Sequence, residues 1–88
     1  MRIQVCAEYS GCSYHSFDLP EGKSWDDVVD HFVKWNVFRF RLKGEEGWRE
    51  VDMGGMDYDT VDMKRPIGVE VSQVTEDDEV IDVLEEFD

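Results

Sequence analysis

Basic residues are scarce. The 88-residue chain carries 9 Lys and Arg against 22 Asp and Glu, a formal charge of −13. Phosphate contacts are made chiefly by Lys and Arg, so this balance argues against direct binding of nucleic acid. Proline is scarcer still, at two residues, while aromatic side chains make up 12% of the chain. Disordered acidic chains lack aromatic and β-branched residues, so the composition is that of a folded domain. No apolar run approaches the roughly 18 residues of a spanning helix, and no membrane partner is expected. The opening Met1-Arg2-Ile3-Gln4-Val5 is strand-like, with no apolar h-region. A cytoplasmic protein with no secretory signal is the expectation, and its two cysteines should then be free thiols. The length suits one domain, residues 1–88, just above the size at which a single core becomes thin.

What the chain has in excess is negative charge, and it is unevenly placed. Residues 1–44 hold six basic and six acidic side chains, whereas residues 45–88 hold three and sixteen. Thr75 to Asp88 contains eight carboxylates and no basic residue. Self-repulsion in such a block opposes folding, which points to a use for it. Halophilic adaptation is a poorer explanation, because it would not spare the first half.

Arg2–Tyr9 alternates as a half-buried strand does, and Ser10-Gly11-Cys12-Ser13 reads as a turn into a second strand, Tyr14–Leu19. Ser24 is placed to cap a helix over Trp25–Trp35, with Asp27 reaching back to it. Trp25, Val28, Val29, Phe32, Val33 and Trp35 would line that helix's inner side, and Asn36 would end it. Val37–Lys43 and Trp48–Met53 form a hairpin around Gly44-Glu45-Glu46-Gly47. A four-residue loop would set Arg41 against Glu50, Arg39 against Asp52 and Phe40 against Val51, with Lys43 near Trp48. Ile67–Val74 is a further strand. Thr75 would cap a terminal amphipathic helix, Glu76–Phe87, whose first turn is acidic.

The order β-β-α-β-β-β-α describes a two-layer α+β fold: an α+β core over residues 1–74 and an acidic C-terminal helix over 75–88. Over roughly residues 2–74 this order resembles the β-grasp arrangement of ubiquitin-like folds. The resemblance is one of topology, and no family motif carries it. The chain ends in Glu85-Glu86-Phe87-Asp88, not in the Gly-Gly that ubiquitin-like modifiers need for activation, so that activity is not implied.

Candidate sites are few. Cys6, Cys12 and His15, with His31 as a fourth ligand, lack the close paired spacing of a zinc site. Cys12 and His15 could form a nucleophile and its base, but nothing supplies an orienting third group. A hairpin turning at residues 10–12 would pair Cys6 with Ser16 or Phe17, too far from Cys12 for a disulfide. Asp57-Tyr58-Asp59-Thr60-Val61-Asp62 begins like a calcium loop, yet puts Asp62 where Gly is needed and Gly68 where Glu is needed. No metal or cofactor is therefore expected, and no catalytic residue.

The expectation for function is a small acidic, non-catalytic binding protein that occupies a basic groove on a protein partner, as DNA-mimicking inhibitors do. Its contacts would come from Glu76, Asp77, Asp78, Glu79, Asp82, Glu85 and Glu86, with Asp57, Asp59 and Asp62 as a second cluster. The alternative is an accessory subunit that docks through an apolar sheet face, or through Leu84 and Phe87.

Overall fold

The computed structural model describes residues 1–9, 11–53 and 66–87. Seven strands account for most of them: β1 (Arg2–Glu8), β2 (Cys12–Asp18), β3 (Val28–Lys34), β4 (Val37–Leu42), β5 (Arg49–Asp52), β6 (Gly68–Val74) and β7 (Val80–Phe87). They form a four-stranded sheet in the order β2-β1-β6-β7 and a three-stranded sheet in the order β3-β4-β5. Every neighbouring pair is antiparallel.

The alternation read from the sequence fixes the faces. Ile3, Val5 and Ala7 are fully buried while Arg2, Gln4 and Cys6 lie on the other side of β1. Val69 and Val71 stand opposite Ala7 and Val5 on β6 and join the same core. From the second sheet come Phe38, Phe40 and Leu42, so the two sheets cover each other's apolar faces. A column of rings runs between them: Phe17 to Phe40 at 5.3 Å, Phe40 to Phe38 at 5.8 Å, and Phe38 to Phe87 at 6.3 Å. It continues from Phe87 to His31 at 5.6 Å and from His31 to Trp25 at 5.5 Å.

This is not the α+β, β-grasp-like fold expected. Among the described residues the one helical segment is a 3-10 turn, Trp25–Asp27. Its capping is as the sequence suggests: Ser24 Oγ accepts from the Asp26 amide at 3.3 Å, and the Asp27 carboxylate accepts from the Ser24 amide at 2.8 Å. The chain then enters β3 instead of a helix. The cause is a bulge. Val28 pairs with Leu42 and Asp30 with Arg41, so Val29 is left over. The inward residues become Val28, His31 and Val33, and that three-residue step imitates helical spacing. The β-branched and aromatic run Val28-Val29, Phe32-Val33 favours the strand. Val29 and Phe32, expected in the core, are exposed instead.

The expected terminal helix fails for the same reason. Residues 80–87 form edge strand β7, and two irregularities skip Ile81 and Leu84 in its pairing with β6. Val80, Val83 and Glu86 fall on one face, again three apart. An edge strand also meets β6 hydrogen bonds that a short acidic helix could not satisfy.

The central hairpin is present with its register moved by two residues. Arg39, not Arg41, stands opposite Glu50, and Phe38, not Phe40, stands opposite Val51. A shift of two keeps every side chain on its expected face. The turn before it, Trp35-Asn36, joins Lys34 to Val37, which pair across the strands. Trp35 adopts a φ of 57° and not Asn36.

Candidate binding surface

Thr75 ends β6 and organises the turn into β7. Its hydroxyl accepts from the amides of Asp77 and Glu79, both at 3.2 Å. Its carbonyl accepts from the Asp78 amide at 2.9 Å, and its own amide donates to Glu79 O at 2.9 Å. The residue read as a helix cap thus caps a tight turn, which holds Glu76, Asp77 and Glu79 in solvent. Asp78 reaches back to the start of β1, where its carboxylate accepts from Arg2 Nε at 2.9 Å. Arg2, and then a hydrogen bond from Ser16, hold the Asp78 carboxyl below the usual carboxylate range.

On β7 the remaining acids divide between faces. Asp82 stands opposite Gln73, Glu85 opposite Val71 and Glu86 opposite Glu70. Glu85 reaches toward the second sheet, 3.8 Å from His31 Nε2. Asp82 and Glu86 are exposed. Of the expected contact residues, Glu76, Asp77, Glu79, Asp82 and Glu86 therefore share one sheet edge and its turn, and among the described residues none meets a basic group. Asp78 is paired with Arg2, and Glu85 faces His31. Asp57, Asp59 and Asp62 lie outside the described residues, as does most of the calcium-loop resemblance.

Exposed apolar side chains interrupt this edge: Val80, Ile81 and Val83 are about half exposed, with Ile81 at 58%. Leu84 and Phe87, expected as a free apolar contact, pack against the core instead.

No family model, curated protein or solved structure matches the chain.

The other candidates are spread apart. Cys12 and His15 are three residues apart on one strand, so they project to opposite faces of the sheet. His15 faces the core side, where its Nε2 and Ser13 Oγ each lie 3.2 Å from the carbonyl oxygen of Met53. That contact ties the end of β5 to the first sheet. His31 sits among the rings between the sheets, while Cys6 projects outward from β1. Among the described residues no group of three or more His, Cys, Asp or Glu is arranged to hold a metal.

Two arginines of the second sheet are paired with carboxylates. Arg39 Nε lies 2.7 Å from Glu50, and Arg49 donates two bonds to Glu45 at 2.9 and 2.8 Å. Arg49 holds the Glu45 carboxyl below its ordinary range. Arg41 lies over the Trp48 ring at 5.4 Å, and Phe32 meets the same ring edge-on at 5.0 Å. The sequence reading placed Lys43 on that ring. The two-residue shift in register hands the cation–π contact to Arg41.

Proposed function

We propose that this protein is a small acidic binding module, without catalytic activity, that docks on a basic protein surface through the edge formed by β7 and the turn before it. The observation that carries the reading is the set of five exposed carboxylates on that edge, Glu76, Asp77, Glu79, Asp82 and Glu86, none of which forms an ion pair with the described residues. Charge placed this way raises the rate of encounter with a basic partner more than it tightens the final complex. The partner is a basic groove such as those that hold a nucleic-acid backbone, and the carboxylates stand where phosphates would.

The exposed Val80, Ile81 and Val83 favour a second reading, an accessory subunit whose contact on this edge is apolar. Ionic strength separates the two, because charge docking is screened and apolar docking barely responds. The test is capture of partners at low salt and elution in rising salt, repeated with a Glu76→Gln, Asp77→Asn, Glu79→Gln variant. Early elution of wild-type complexes and loss of capture by the variant support the charged dock. Capture that resists salt and survives the variant, yet is lost on Ile81→Ser, supports the apolar dock and defeats the first reading.

A further inference from the structure

The hairpin of β1 and β2 turns earlier than its sequence suggests. Cys6 stands opposite Tyr14 and Glu8 opposite Cys12, so Cys6 and Cys12 occupy diagonal positions on the outer face of the first sheet. Strand twist shortens one of the two diagonals of such a pair. The thiols of Cys6 and Cys12 are near enough to influence one another electrostatically, which points to this diagonal as the short one. Tyr14 stands opposite Cys6 on the same face. The separation that seemed to forbid a bridge belongs to a register the chain does not adopt. Both thiols are free, Cys12 exposed and Cys6 half-buried.

We infer that Cys6 and Cys12 form a dithiol pair that small-molecule disulfides oxidise to an intramolecular disulfide, with Cys12 attacking and Cys6 resolving. The roles follow from access. Cys12 opens β2 in solvent and can approach the incoming S–S bond, whereas Cys6 is half-buried in mid-strand opposite Tyr14. In the first step the Cys12 thiolate attacks one sulfur of R–S–S–R, forms Cys12–S–S–R and expels RS⁻. In the second, Cys6 loses its proton, attacks the Cys12 sulfur and expels the second RS⁻. The protein loses two hydrogens and the oxidant becomes two thiols. Diagonal Cα atoms lie about 7–8 Å apart, slightly beyond the span of a disulfide, so closure draws the strands together by about 1 Å at the turn end of the hairpin.

The second step is the slow one. Burial, and then the neighbouring Cys12, push the Cys6 thiol up to about 11. Burial persists once Cys12 carries the adduct and keeps Cys6 mostly protonated at neutral pH, so the rate of resolution should rise about tenfold per pH unit while the thiol remains protonated. The mixed disulfide on Cys12 therefore accumulates before it closes.

The experiment treats the whole protein with oxidised glutathione at about pH 8 and follows intact mass with time. Wild type should pass through a single adduct to a species lighter than the reduced protein by two hydrogens. Cys6→Ser should stop at the single adduct, and Cys12→Ser should react much more slowly than wild type. Raising the pH by one unit should speed closure about tenfold. A wild-type adduct that never closes, two adducts on one chain, or disulfide-linked dimers as the main product would each overturn the inference. Equal reactivity of Cys12→Ser and wild type would do so too. Because the wild-type time course decides the matter alone, a variant that folds poorly does not obscure it.

Discussion

Glu70 and Glu86 stand directly opposite one another on β6 and β7, two carboxylates side by side on the same face of the sheet. Like charges in that position destabilise a strand pair, so Glu86→Gln should raise stability by about 0.2–1 kcal/mol. Glu86→Lys should raise it at least as much by making an opposite-charge pair. Urea unfolding at low salt measures both, and the gain should shrink as salt is added.

Phe38 is fully buried at the centre of the ring column, whereas Phe32 is 37% exposed on the opposite face of the same sheet. Phe38→Ala should cost about 3–5 kcal/mol, enough to unfold much of a domain this small. Phe32→Ala loses mainly its edge contact with Trp48, worth about 0.5–1.5 kcal/mol. Equal losses in denaturant unfolding would contradict the bulge in β3 that separates their faces.

Trp35 holds a φ of 57° in a two-residue turn, with 64% of its surface in solvent. A bulky side chain is strained in that region by about 1–2 kcal/mol, and glycine is not. Trp35→Gly should therefore leave the protein as stable or more so, after the entropy that glycine loses on folding. A marked drop in melting temperature would show that the indole makes a contact that outweighs the strain.

Asp78 titrates below its ordinary range because Arg2 and Ser16 bond its charged form. A carboxyl shifted this way stabilises the fold above its unfolded pKa, and the contribution disappears as pH falls through the folded value. Arg2→Gln should thus be less stable than wild type at neutral pH, with the gap closing as pH falls through and below the ordinary carboxylate range. Thermal melts across that range at low salt would detect it. A gap that persists in acid would assign the role of Arg2 to packing against β2 and β6.

Five of the strands and the direction their side chains face were legible in the sequence. Ile3, Val5 and Ala7 alternate without interruption, and so do Phe38, Phe40 and Leu42. The two segments misread as helices are the two that contain bulges, at Val29 in β3 and at Ile81 and Leu84 in β7. An extra residue changes the step between inward side chains from two to three, and periodicity alone then reports a helix. Val28-Val29 and Phe32-Val33 carried the opposing signal in their strand preference. The central register was missed because shifts of two preserve the pattern of faces. The acidic edge was legible as composition but not as geometry: nothing local marks Asp78 as the partner of Arg2, or Glu85 as a neighbour of His31.

The ring column has a kinetic consequence. Phe17, Trp25, His31, Phe38, Phe40 and Phe87 come from β2, the 3-10 turn, β3, β4 and β7, so no short stretch of chain can complete it. Loop closure must precede most of the reward, which places folding in the millisecond-to-second range typical of sandwiches, not the microseconds of helical bundles. Until β7 docks, its Val80, Ile81, Val83, Leu84 and Phe87 are an adhesive strand open to any other unfolded chain. The carboxylates interleaved among them act throughout that interval as gatekeepers, their like charge keeping unfolded copies apart.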